Sequence, residues 1–226
     1  MTVSTAHFPA MPAAASLEQT PVVLTVLNRR RDGATSQLVL FKKNSAAADD
    51  PVLAWKVLRC PAGQEARVVV PFSQQVGVFD PRGSHAGLES ASAGDCFEVA
   101  DARRAGSGGA AAPLLGRTQD HLAAIGPNMV GVHNGTSDGV LDVVLYKDGR
   151  PLCRQGALAP GTTIVFEVLP YLHVGLCAGV AEGAMLDAAT VAAAMRISLL
   201  GLKSADLILT GGAGEEKFNL VNQRFS

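Results

Sequence analysis

A chain of 226 residues that is 48% hydrophobic and 17% charged is long enough to bury a core and too apolar to stay disordered. Nineteen basic against twenty acidic residues leave a formal net charge of -1, so no long-range field steers it toward nucleic acid, and 5% aromatic residues give few platforms for stacked bases. No apolar run is long enough to span a bilayer and the first residues lack the pattern of a secretory signal, so a cytoplasmic protein with no transmembrane segment is expected.

Residues 1–20 read as a flexible or partner-docked arm, and a first β unit is expected over 21–100. It opens with the apolar strand Val22-Val-Leu-Thr-Val-Leu-Asn28. Arg29-Arg-Arg-Asp32-Gly33 follows as a tight turn, because an Asp-Gly pair tolerates the positive φ that a hairpin demands. Gln37-Leu-Val-Leu-Phe41 returns as the second strand and runs into Lys42 and Lys43. Pro51 to Leu58 reads as another strand with Trp55, the sole tryptophan, as a core anchor. A corner at Pro61 and Gly63 leads to Ala66-Arg-Val-Val-Val-Pro-Phe72, then to a strand around Val76-Gly77-Val78, and Cys96-Phe-Glu-Val-Ala100 closes the unit.

Residues 101–127, rich in Gly and Ala, read as a linker with a short helix from Thr118 to Ile125. A second β unit is expected over 128–226 because the pattern of the first returns there. Met129 to Asn134, then Gly135-Thr-Ser-Asp138-Gly139, then Leu141 to Tyr146 and Lys147 repeat strand, Asn, Asp-Gly turn and aromatic-Lys ending. Pro151 to Leu158 matches Pro51 to Leu58, Pro160 and Gly161 supply the corner, and Val174-Gly175-Leu176 matches Val76 to Val78. Beyond the repeat, Asp187 is placed to cap a short helix ending near Met195, before strands at Arg196 to Leu202, Asp206 to Thr210 and Lys217 to Val221. The expected fold class is all-β: two tandem, internally duplicated β-sandwich-like units with one or two short helices, in which Asn28, Asp32, Gly33, Asn134, Asp138 and Gly139 are structural turn residues.

Chemistry is harder to find. Gly135-Thr-Ser137-Asp-Gly139 fits the G-x-S-x-G pattern, but a nucleophile elbow needs a helix after the serine and here a strand follows. No catalytic residue is assigned and no cofactor is expected. Strand alternation permits a metal cluster of His133, His173 and Cys177 by direction alone; sheet histidines with ordinary hydrogen bonds are the plainer reading. Four cysteines without CxxC spacing read as free buried thiols. Arg29, Arg30 and Arg31 with Lys42 and Lys43 form the one dense basic cluster, either a solvated hairpin tip or a loop that meets an anionic lipid or an acidic partner. The function expected from these features is a non-enzymatic structural or self-assembling protein, a homo-oligomer whose partner is itself or another protein. The alternative is a lipid- or ligand-binding β-sandwich that uses the basic hairpin; an enzyme whose site the sequence does not reveal comes third.

Overall fold

A computed structural model describes residues 20–47, 49–80, 85–101, 113–121, 125–212 and 214–225. The chain is all-β, with sixteen strands and one six-residue helix among the described residues. In chain order the strands are β1 (Val22–Asn28), β2 (Ser36–Phe41), β3 (Lys56–Cys60), β4 (Glu65–Val70), β5 (Gln74–Phe79), β6 (His85–Ala91), β7 (Cys96–Ala100) and β8 (Leu114–Thr118). The second series is β9 (Met129–Asn134), β10 (Leu141–Lys147), β11 (Arg150–Leu158), β12 (Thr163–Glu167), β13 (Tyr171–Leu176), β14 (Met195–Ser198), β15 (Leu202–Thr210) and β16 (Lys217–Phe225), with helix α1 (Ala188–Ala193) before β14.

The strands form four sheets of four, ordered β16-β15-β1-β4, β14-β13-β2-β3, β11-β10-β5-β6 and β12-β9-β7-β8. The first two sheets contain only β1–β4 and β13–β16, and the other two only β5–β12. Strand pairing thus groups 22–70 with 171–225 and sets them against 74–167. The division runs through the crossovers at 71–73 and 168–170, not through the expected linker at 101–127. Each sheet also takes two strands from each sequence copy. When every strand is exchanged for its counterpart in the other copy, β1 for β9 through β8 for β16, the first order becomes β8-β7-β9-β12 and the second β6-β5-β10-β11, the two remaining sheets read backwards. Registers correspond too: Phe41 faces His173 as Tyr146 faces Gln75, and the parallel pairs place Asn28 beside Leu209 as Asn134 beside Val99.

One stretch of the sequence match is displaced. Leu40 faces Lys56 and Leu145 faces Cys153, so Lys56 stands where Cys153 does, and the match of Pro51 with Pro151 is three residues out. The loop after β2 is longer, and its Val52 and Leu53 form separate bridges to Cys153 and Met185. Trp55 therefore lies just before β3. It is fully buried, and its indole N–H donates to the Lys147 carbonyl at 2.8 Å.

A single core joins both groups of sheets: Leu24, Leu40 and Val174 from one and Phe97, Leu145 and Phe166 from the other belong to the same buried cluster. Two buried lysines fasten the crossovers. Lys42 Nζ donates to the Leu169 carbonyl at 2.5 Å, and Lys147 Nζ to the Pro71 carbonyl at 2.5 Å. Asp187 caps α1 as expected by accepting from the Thr190 N–H. The strand expected over Arg196 to Leu202 is interrupted, because the chain turns at Leu200 and Gly201 between β14 and β15. Thr118 ends a strand, while the rest of the helix expected to Ile125 falls partly outside the described residues, as do most of the linker and nearly all of the N-terminal arm.

Candidate functional site

The most unusual chemistry gathers where the loop after β2 meets the start of β13 and strand β14. Alternation puts Tyr171 and His173 on one face of β13, and antiparallel pairing sets Arg196 of β14 directly across from His173. The His173 ring stacks on Phe41, with centres 5.3 Å apart, and meets the Tyr171 ring edge-on at 5.5 Å. Only 8% of His173 is exposed, and its Nδ1 is buried with no hydrogen-bond partner among the described residues. Both Lys42 Nζ and the Arg196 guanidinium sit over the Tyr171 ring, each 4.0 Å from its centre, a favourable cation–π arrangement.

Tyr171, His173 and Arg196 border a cleft of about 380 Å³, whose other walls include Lys43, Asn44, Asp50, Val52 and Val191. Asn44 secures the loop: its amide accepts from the Glu167 N–H at 3.0 Å and donates to the Val165 carbonyl at 3.1 Å. The Tyr171 hydroxyl lies 2.9 Å from Glu167 Oε2, and the Ser45 hydroxyl donates to the same oxygen. Glu167 is thus already occupied by hydroxyls.

Electrostatics follow from burial. Desolvation, reinforced by Lys43, Arg196 and Lys42, holds the His173 imidazole neutral by pushing its pKa down to about 4. Burial also lowers Lys42 to about 8, with Arg196 adding repulsion, and lowers Lys147 to about 8, with Lys42 adding repulsion. It raises the Asp50 carboxyl and the Tyr171 hydroxyl.

The sequence candidates are distributed differently from their spacing. The turns at Asp32-Gly33 and Asp138-Gly139 do not close hairpins as expected, because β1 and β2, like β9 and β10, lie in different sheets. Arg30 is tied to Asp32 and to Glu216, the latter at 3.0 Å, so the first turn does not present three free guanidiniums, although Arg29 and Arg31 are exposed. Lys42 is buried at a crossover and Lys43 lines the cleft, which separates both from that tip. His133 stacks on His121 at 3.8 Å and bonds Thr163 through Nδ1 at 2.9 Å, and it lies in a different sheet from His173. Four residues of extended chain put His173 and Cys177 roughly 13 Å apart. No group of three His, Cys, Asp or Glu side chains able to hold a metal occurs among the described residues. Ser137 lies in a turn between β9 and β10, its backbone N–H donating to Asp101, and the four cysteines are free thiols, three of them buried.

Arg196 and Asn44 escaped the sequence reading because both reach the cleft through long-range pairing. Of the cleft residues, Lys43 and His173 are named as candidates by the sequence, each for a different role. Searches against protein-family models, curated proteins and solved structures find no match to this chain.

Proposed function

We propose that the chain is a non-enzymatic β protein, built by duplication of one strand unit, that binds a small-molecule ligand in the cleft beside His173. The observation that carries this reading is a cleft with His173 in its wall, whose ring keeps an unpartnered Nδ1 buried just behind that wall. A buried polar atom left unpaired costs about 1–3 kcal/mol, a cost that makes sense where a ligand supplies the missing bond.

Binding fits the site better than catalysis. A general acid or base works best with a pKa near the operating pH, whereas His173 is displaced well below neutrality and Tyr171 upward. Duplication is supported by the matching strand orders and registers. The cleft draws on both copies, Lys43 to Val52 from the first and Tyr171 to Arg196 from the second, and its symmetry-related place differs, since Gln75 and Ser90 stand where His173 and Arg196 stand. Self-association through sheet edges has less support: edge strand β16 carries register shifts and a positive-φ Asn222, and edge strand β11 carries a positive-φ Ala157, irregularities that discourage edge pairing. Free thiols suit a reducing, cytoplasmic setting.

A melting-temperature screen of a small-fragment collection tests the proposal on the intact chain and on His173→Phe, which keeps the ring stack and deletes the nitrogens. Fragments should stabilise the natural chain and lose that effect in the variant. Absence of any stabilising fragment, or hits that act equally on both proteins, would contradict the proposal.

A further inference from the structure

Resting on that reading, we infer that the ligand is a small monoanionic organic carboxylate, with its carboxylate at the end formed by His173, Arg196 and Lys43 and its apolar stem against Val52 and Val191. Arg196 carries the argument furthest. Its guanidinium lies on the Tyr171 ring and has no carboxylate within ion-pair distance among the described residues, which leaves a planar fork of donors available. Such a fork matches a carboxylate through two parallel hydrogen bonds. The neutral imidazole in the same wall can offer a ring N–H in the appropriate tautomer.

Charge fixes the valence of the ligand. Of the side chains that line the cleft, Lys43 and Arg196 are cations and Asp50 is the one carboxylate, so a ligand with one negative charge balances the lining. The charges that act on His173 are all cations, which places the attractive end there. Asp50 also lines the cleft and would repel a second negative charge, so a phosphate dianion fits less well. The volume of about 380 Å³ falls at the lower end of small-molecule sites, enough for a ring-sized body and too little for a lipid chain or an oligosaccharide.

Titration calorimetry with sodium benzoate, benzamide and phenyl phosphate as probes tests the inference on the intact chain, on Arg196→Gln and on Lys43→Gln. Arg196 is an exposed residue, so its replacement should leave the melting temperature nearly unchanged; Lys43→Gln is the second variant should Arg196→Gln unfold. Benzoate should bind at least about tenfold more tightly than benzamide, phenyl phosphate no more tightly than benzoate, and either substitution should weaken benzoate by about tenfold, the equivalent of one lost charge-assisted contact. Equal affinity for benzoate and benzamide, or a tenfold preference for phenyl phosphate, overturns the carboxylate assignment and leaves the cleft a binding site. The assignment also falls alone if none of the three probes binds while other fragments do. If no fragment of any charge binds, both readings fall.

Discussion

Asn28 and Asn134 do the same work in the two copies. Both are fully buried. The Asn28 side-chain amide donates to the carbonyls of Ala34 and Cys60 while its oxygen accepts from the Arg30 N–H, and its own carbonyl accepts from Gly63. Asn134 repeats the set with Gly139, Leu158, Thr136 and Gly161. Each residue locks the turn that links two sheets to the corner that follows the next strand. Asn28→Ala and Asn134→Ala should each cost about 2–3 kcal/mol in urea unfolding, because several backbone groups lose partners in a buried place; a loss near zero from either would deny it this role. The shared spacing of these asparagines was legible in the sequence. The role of Lys42 was not, because a lysine after a strand looks like surface until its carbonyl partner, 127 residues away, is known.

Two kinds of buried base make stability rise with pH, each in its own window. His173 has a folded pKa of about 4 against an ordinary 6.5, so the unfolded chain binds the proton more readily and stability should fall as pH drops from 6.5 toward 4. Lys42 and Lys147 have folded pKa values of about 8 against 10.5; the unfolded chain again holds more protons, and stability should rise from pH 8 toward 10.5. Unfolding free energies of the natural chain and of His173→Phe across pH 4–10 check both limbs. The variant should lose the acid slope and retain the alkaline one. An acid slope of undiminished size in the variant would show that His173 is not its source.

At the scale of elements, most strands could be read from alternation and from Asp-Gly and Pro-Gly punctuation. Strand β1 shows why, since its buried and half-buried residues alternate along its whole length. The partners of the strands could not be read. The parallel neighbour of β1 is β15, and nothing local in Val22 to Asn28 specifies a strand so far along the chain. Helix α1 was legible from Asp187, whereas the break between β14 and β15 was missed because Leu199 and Leu200 continue an apolar run. The turn from β15 to β16 offers a sharp test. Gly211 has φ +94°, and a Cβ there would lie 2.3 Å from the Glu215 backbone oxygen. Gly211→Ala should therefore cost about 2 kcal/mol or more through backbone strain, with amide exchange accelerating first along Lys217–Phe225. Unchanged exchange in β16 would show that the turn accommodates a side chain.

Across the whole molecule, two sequence copies share every sheet, and the crossovers that connect the two groups of sheets are tied by a lysine from each copy. The copies remain alike where they carry architecture, at the asparagines and the lysines. They differ where the cleft lies, because His173 and Arg196 replace Gln75 and Ser90. The two halves match in strand order but differ around the cleft, where the loop 42–55 is longer than 148–149 and His173 and Arg196 stand in place of Gln75 and Ser90. Backbone NMR of the intact chain titrated with benzoate tests this most directly. The account predicts that resonances of Lys43, Asn44, Tyr171, His173 and Arg196 move while those of Gln75 and Ser90 stay in place; equal movement in both sets, or movement confined to the Arg29 to Arg31 turn, would contradict it.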